Sequence, residues 1–144
     1  MTDFNAEGEL PPGVHRVAWD EFLSRFGGAS LRRQWLIERL AALLDVANAT
    51  GKLRRVFIWG SFVTAKVSPR DVDLLLIMDD DFEAEALEPG TQVVFDSAKA
   101  RVRFAADVFW ARASIGEEAL GLWLDTYQIS RSFTKRGIVE LELP

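Results

Sequence analysis

Two aspartates, Asp71 and Asp73, stand at the head of an apolar run that continues to residue 78. Successive side chains of a strand alternate between its faces, so both carboxylates should point the same way, about 6–7 Å apart at a rise of ~3.3 Å per residue. Like charges at so short a distance repel each other, so the pair is energetically costly unless a cation binds between the two carboxylates. Mg²⁺ takes hard oxygen ligands and commonly brings a substrate's phosphates. The spacing therefore predicts a magnesium site.

A glycine-serine pair, Gly60-Ser61, ends another apolar run, residues 56–59, ten residues before Asp71. A turn of this composition offers backbone N–H groups, a hydroxyl and little bulk, which suits a bound phosphate. The first cation that follows is Lys66.

A third aspartate, Asp107, lies inside the apolar run 102–110, which we predict to be a strand. A lone carboxylate there is costly to bury unless it is paired, hydrogen-bonded or bound to metal. Arg103 would share its strand face and either reach a phosphate or stay exposed. The run Asp79-Asp80-Asp81 follows the far end of its strand, and we expect a solvated turn there rather than further metal ligands.

Helices and further strands are predicted around these runs. Helical spacing and caps indicate helices over 19–26 and 31–49, the second with Ser30 as N-cap, and a third after a capping box at 114–117. Short strands are expected at 91–95, after a break at Pro89-Gly90, within 126–133, and at 137–143, where alternation indicates a half-buried edge strand. Together they predict an α/β (α+β) fold in one domain, 1–144, with 1–13 as an irregular arm.

Composition narrows the classes of function. The 144 residues carry a net charge of −5 and include no cysteine, five tryptophans and ten phenylalanines. The acidic balance argues against a broad nucleic-acid footprint, and no apolar run is long enough for a membrane helix. The N-terminus does not resemble a secretory signal, so a cytoplasmic location is expected. Most aromatic residues are expected in the core, and His15 at the surface or locally satisfied. Arg32 and Arg33 are expected to be solvated, with contact to an acidic partner or a phosphate as the weaker alternative.

A strand ending in Gly-Ser, followed ten residues later by Asp-x-Asp on the next strand, resembles the nucleotidyltransferase fold of the polymerase beta superfamily. The chain is most similar to its small bacterial members, the minimal nucleotidyltransferases. The longer string GSFVTAK followed by P-x-DVD resembles an uncharacterised bacterial family of small nucleotidyltransferase-like proteins. The segments Leu10-Pro11-Pro12-Gly13 and Lys135-Arg136-Gly137-Ile138 resemble that family as well. The resemblance implies a mixed β-sheet with helices packed against it.

The resemblance also implies a set of roles. Asp71, Asp73 and Asp107 would be the catalytic carboxylates that hold one or two Mg²⁺ ions, with Asp107 preferred over Asp96 for the third position. Gly60, Ser61 and Lys66 would bind the nucleotide's phosphates. The reaction implied is transfer of NMP from an NTP, expected to be ATP, to a hydroxyl of a protein or small acceptor.

Two classes of function remain open on the sequence. The first is an active enzyme. Such an enzyme could be the antitoxin-like partner of a toxin, and it could form an oligomer. The second is a non-catalytic nucleotide-binding or partner-binding protein on the same fold. The three carboxylates favour the first class. The lack of an arginine shortly after Gly60-Ser61, and the short region of 37 residues that follows Asp107, favour the second.

Overall fold

The structure is a computed structural model that describes residues 3–130 and 133–143. Among these residues, five strands form one mixed sheet in the order β1-β5-β2-β3-β4. The strands are β1 (Val14–Val17), β2 (Leu53–Trp59), β3 (Val72–Met78), β4 (Ala106–Arg112) and β5 (Ile138–Leu141). The helices are α1 (Trp19–Phe22), α2 (Leu31–Ala49), α3 (Pro89–Gln92), α4 (Ser97–Phe104) and α5 (Glu117–Tyr127). The predicted mixed α/β fold is confirmed.

Each face of the sheet is covered by a different set of helices. On one face, which we call the α2 face, Leu74 and Leu76 of β3 pack with residues of α1, α2 and α4. On the other, the α5 face, Leu75 and Ile77 pack with Leu120 and other residues of α5. Burial on both sides explains why β3 is a continuous apolar run rather than an alternating one.

The central strands and the long helix lie where the sequence places them. Helix α2 spans the predicted residues 31–49, and the Ser30 hydroxyl accepts a hydrogen bond from the Arg33 N–H at 3.1 Å. Strands β2 and β3 include both predicted apolar runs. The predicted helix over 19–26 comprises α1 followed by a π-helical turn, Leu23–Gly27.

The region before β4 differs from the prediction of two strands, at 91–95 and 102–110. Residues 91–95 are helical rather than extended, because α3 begins at Pro89 and leads into a 3₁₀ turn, Val93–Phe95. The Asp96 carboxylate then caps α4 by accepting from the Lys99 N–H at 3.1 Å. Helix α4 continues to Phe104, so the predicted strand over 102–110 begins only at Ala106. Arg103 therefore lies on a helix and does not share a strand face with Asp107.

Strand β5 also differs from the prediction. It lies between β1 and β2, so it is an interior strand rather than an edge strand, and all four of its residues are buried. The alternating charge that suggested an exposed face is explained by Glu140, which forms an ion pair with Arg55 of β2. Pairing of β1 with β5 joins segments from opposite ends of the chain into one sheet.

The remaining predictions concern the segments around α5. The N-cap of α5 is Gly116, without a side-chain cap, so the predicted capping box is wrong. The backbone N–H of Ser114 instead donates to the Asp80 carboxylate at 2.7 Å. Within the predicted strand 126–133, Thr126 and Tyr127 are the last residues of α5, and Ile129 forms an isolated bridge with Lys135. Positions 131 and 132 lie outside the described residues. No helix in the described part of the chain is long and apolar enough to cross a bilayer.

Candidate metal and phosphate site

Three aspartates converge at one end of β3 and β4. The parallel register of these strands sets Asp73 directly beside Asp107, and Asp71 precedes Asp73 by two residues. One carboxylate oxygen from each of the three lies within 4.8 Å of the others, and all three residues are half-buried. The structure thus brings together the three carboxylates that the sequence singles out.

The donor set and spacing of this cluster fit a hard divalent cation. At an Mg²⁺–oxygen distance of about 2.1 Å, two ligand oxygens are about 3.0 Å apart when adjacent and 4.2 Å apart when opposite. The observed separations of up to 4.8 Å need only small side-chain rotations to reach that range. Asp71, Asp73 and Asp107 could therefore hold Mg²⁺.

Arg101 supplies the positive charge that lies against this cluster. Its Nε donates to Asp107 Oδ1 at 2.9 Å, and its Nη2 contacts the same oxygen. The hydrogen bond to Asp107, followed by the charges of Asp107, Asp71 and Asp73, raises the pKa of the Arg101 guanidinium. The sequence analysis missed this residue because it treated the region as a strand, whereas the helical turn of α4 carries Arg101 back toward the aspartates.

Gly60 brings the turn after β2 against the carboxylates. Trp59, the last residue of β2, pairs with Asp73, and Gly60 follows with φ of 83°. A Cβ at Gly60 would lie 2.4 Å from Asp73 Oδ2. Both the left-handed backbone and the close approach require glycine here, which explains why the Gly-Ser pair stands at this position.

A cleft of about 650 Å³ extends from the aspartates over the Gly60-Ser61 turn. It contains the predicted phosphate residues Gly60, Ser61 and Lys66 together with Asp71 and Asp73. Its remaining lining residues include three that the sequence analysis did not assign to the site: Arg70, Ser130 and Arg136. Strand alternation from Asp71 and Asp73 would direct the Arg70 side chain away from their face, yet Arg70 lines the same cleft. Lys66, Arg70 and Arg136 are cations that could contact a polyphosphate, although the lining also holds the carboxylates of Glu7, Glu9, Asp71 and Asp73.

The N-terminal arm closes one side of this cleft. Glu9 forms a bridge with Thr64, and the N–H of Ala65 donates to the carbonyl of Gly8 at 2.7 Å. The Glu9 carboxylate accepts from Arg136 at 3.0 Å. The arm that the sequence predicts to be irregular therefore contributes a wall of the candidate site.

Arg33 is a further residue whose place the sequence analysis did not predict. It was expected at the surface but is only 2% exposed. Its guanidinium donates to four backbone carbonyls, those of Phe26, Phe62, Thr64 and Lys66, at 2.6–3.0 Å. Three of these carbonyls belong to the segment that follows Gly60-Ser61, so Arg33 holds the floor of the cleft. Burial lowers the pKa of its guanidinium, which nonetheless stays charged at neutral pH.

The neighbouring Arg32 holds the other end of the same connection. Its Nε donates to the Pro69 carbonyl at 3.0 Å, and its Nη2 contacts the Arg70 carbonyl. Arg32 and Arg33 together bind both ends of the loop between the Gly-Ser turn and Asp71. Both arginines lie in the first turn of α2, where the helix dipole disfavours cations. That unfavourable position was the signal in the sequence that they have acceptors outside the helix.

Other candidates from the sequence lie outside the site. His15 Nε2 is 2.7 Å from the Pro11 carbonyl, as expected of a locally satisfied histidine. Asp79 and Asp81 form ion pairs with Arg54 and Lys52, at 3.4 and 2.7 Å. The acidic turn after β3 thus has its own partners at the opposite end of the strand from Asp71.

A comparison with protein families matches residues 2–142 of the chain to a family model. The chain belongs to a family of unknown function, DUF6932. The part matched by this family includes every residue of the aspartate cluster and of the cleft described above. No curated protein and no solved structure matches the chain.

Proposed function

We propose that this DUF6932 protein is a Mg²⁺-dependent nucleotidyltransferase that moves an NMP group from an NTP to a hydroxyl. The observation that carries the proposal is the convergence of three carboxylates beside a Gly-Ser turn and a cleft whose lining includes Lys66 and Arg70. Paired carboxylates next to phosphate-binding groups are what metal-assisted phosphoryl-type transfer needs, since such chemistry is mostly positioning and electrostatics.

Each residue of the site has a definite task in this reaction. Asp71 and Asp73 would hold Mg²⁺, which neutralises charge on the phosphates and on the attacking oxygen. The Gly60-Ser61 turn and Lys66 would orient the β and γ phosphates. The acceptor hydroxyl attacks the α-phosphorus and the bond to pyrophosphate breaks, while Asp107, as the third carboxylate that would hold metal, would ease loss of the hydroxyl proton to solvent.

The nucleotide and the acceptor are inferred more indirectly. ATP, and a protein acceptor such as a partner toxin, follow from the resemblance to minimal nucleotidyltransferases. The acidic surface of the chain, with net charge −5, fits a small or protein acceptor better than a duplex nucleic acid.

A second candidate is a non-catalytic protein that binds a nucleotide or a partner on this fold. The Arg101–Asp107 ion pair favours it, because Arg101 neutralises the carboxylate that would otherwise serve the attacking hydroxyl. Under this alternative the cleft still binds a nucleotide, but no NMP is transferred.

Titration of the four NTPs, with and without Mg²⁺, tests the proposal. We expect Mg²⁺-dependent binding to the wild type and a loss of about 100-fold or more in the Asp71→Asn/Asp73→Asn variant, because the metal ligands are removed. An Asp79→Asn/Asp81→Asn variant is the matched control, since it removes two equal charges at the far end of β3 and should bind normally.

The outcomes separate the two candidate functions. Release of pyrophosphate with labelled NMP on an acceptor supports the transferase, and metal-dependent binding without release under any acceptor supplied supports the binding protein. Wild-type-like affinity in the Asp71→Asn/Asp73→Asn variant would contradict the metal site on which the transferase depends.

A further inference from the structure

Three aromatic rings form a continuous surface on the α5 face. The rings of Trp59 and Tyr127 stack with centroids 3.7 Å apart and an interplanar angle of 4°. The Phe109 ring lies 6.0 Å from Trp59 and 6.3 Å from Tyr127 between centroids. Rings at these distances and angles pack into one apolar patch. We refer to these three residues as the aromatic platform.

The platform adjoins the aspartate cluster. Trp59 pairs with Asp73 across β2 and β3, and Phe109 follows Asp107 by two residues on the same face of β4. Because β3 lies between β2 and β4, the contact of Trp59 with Phe109 places the rings over β3. The carboxylates thus have the phosphate-binding turn and its cleft on one side and aromatic surface on the other.

The platform is accessible to a ligand. Phe109 is 50% exposed and lies on β4, at the outer edge of the sheet. Trp59 and Tyr127 are partly buried against the residues under α5, which gives the rings a rigid support. A rigid, half-exposed ring beside charged groups can stack with a planar ligand at little cost in conformational entropy.

We propose that the aromatic platform stacks with the base of the bound nucleotide, an inference that rests on the proposed function. With the β and γ phosphates over Gly60-Ser61 and the α-phosphate at the aspartates, the nucleoside end extends toward Phe109. Base–aromatic stacking changes affinity by about 5- to 150-fold per base on alanine substitution and tolerates every base. The site should therefore accept all four NTPs and favour purines, which offer the larger stacking area.

The test compares ATP with inorganic tripolyphosphate, which has the phosphates but no base. Both are titrated with Mg²⁺ into the wild type, Phe109→Ala and Phe109→Trp. We expect Phe109→Ala to weaken ATP binding about tenfold and to leave tripolyphosphate binding unchanged, while Phe109→Trp retains ATP affinity. Leu122→Ala is the control, because it removes an exposed apolar side chain of α5 outside the platform. It should alter the affinity for neither ATP nor tripolyphosphate.

The outcomes separate this inference from the proposed function. Unchanged ATP affinity in Phe109→Ala, or an equal loss for ATP and tripolyphosphate, overturns the platform and leaves the transferase standing. If neither ligand binds the wild type at saturating Mg²⁺, both the proposed function and the platform are wrong.

Discussion

At the scale of single residues, Arg33 is the least expected contributor to the site. A buried cation is costly unless its hydrogen-bonding capacity is used. Arg33 meets this requirement with backbone carbonyls, three of them in the loop beneath the cleft. Its charge thereby lies behind the segment that would face phosphates, and its fork of donors holds that segment in shape.

Replacement of Arg33 by methionine should weaken both the fold and the site. Four carbonyls lose their donor, so we expect the free energy of unfolding to fall by about 3 kcal/mol. Because three of those carbonyls belong to the loop beneath the cleft, Mg²⁺-ATP affinity should fall more than about tenfold. Urea denaturation and titration calorimetry, the latter at a temperature where the variant is fully folded, measure the two effects.

Leu43→Ala provides the stability-matched control for Arg33. Leu43 is fully buried on the same helix, and its truncation should cost about 2–5 kcal/mol without touching the loop. We expect normal ATP affinity in that variant and partial recovery in Arg33→Lys. Equal affinity losses in Leu43→Ala and Arg33→Met would mean that Arg33 acts on the site only through overall stability.

At the scale of elements, β5 shows how an interior strand can carry a charge. Arg55 binds Glu140 through two hydrogen bonds, of 2.9 and 3.1 Å, and the Glu140 side chain is only 11% exposed. The two hydrogen bonds from Arg55 replace those that the carboxylate loses to water when it is buried. The pair also links β2 to β5, which are neighbours in the sheet.

A double-mutant cycle measures what this pair contributes. We expect Arg55→Ala to destabilise the chain by about 2 kcal/mol, because it leaves a buried carboxylate unpaired. The coupling energy between Arg55 and Glu140 should exceed about 1 kcal/mol. The exposed pair Arg16–Glu142, 3.8 Å apart, is the control and should couple by less than about 0.5 kcal/mol. Equal coupling energies in the two cycles would show that burial does not strengthen the Arg55–Glu140 pair.

At the scale of the whole molecule, the sheet depends on pairing between remote segments. Strand β5 contributes three buried aliphatic side chains, Ile138, Val139 and Leu141. Each is worth about 1.5–3 kcal/mol when fully buried, and the backbone pairing with β1 and β2 is lost with them. This sum approaches the 5–15 kcal/mol that stabilises an ordinary domain.

A chain truncated after Arg136 should therefore fail to fold, although it retains the whole aspartate cluster. Far-ultraviolet circular dichroism and the loss of a cooperative thermal transition would report this. A chain truncated after Glu142 keeps β5 and should unfold cooperatively, close to the full chain. A cooperative transition in the shorter chain would show that β5 is dispensable.

Local patterns account for the features that the sequence predicts correctly. Helical spacing and the Ser30 cap determine α2, and apolar runs determine β2 and β3. Propensity and periodicity act over a few residues, so these elements can be recognised without the rest of the chain. The same holds for the Gly-Ser and Asp-x-Asp spacing, whose carboxylates do meet Asp107 in the structure.

The features that the sequence does not reveal depend on contacts between distant residues. Arg33 reaches carbonyls 29 to 33 positions ahead, and Arg101 reaches Asp107 only because α4 is a helix. The place of β5 inside the sheet, and the exposure of Phe109 beside the carboxylates, depend on strand order. The sequence alone thus determined the local elements and the identity of the carboxylates. The tertiary structure decided their surroundings, because burial and pairing are properties of the assembled sheet rather than of any one segment.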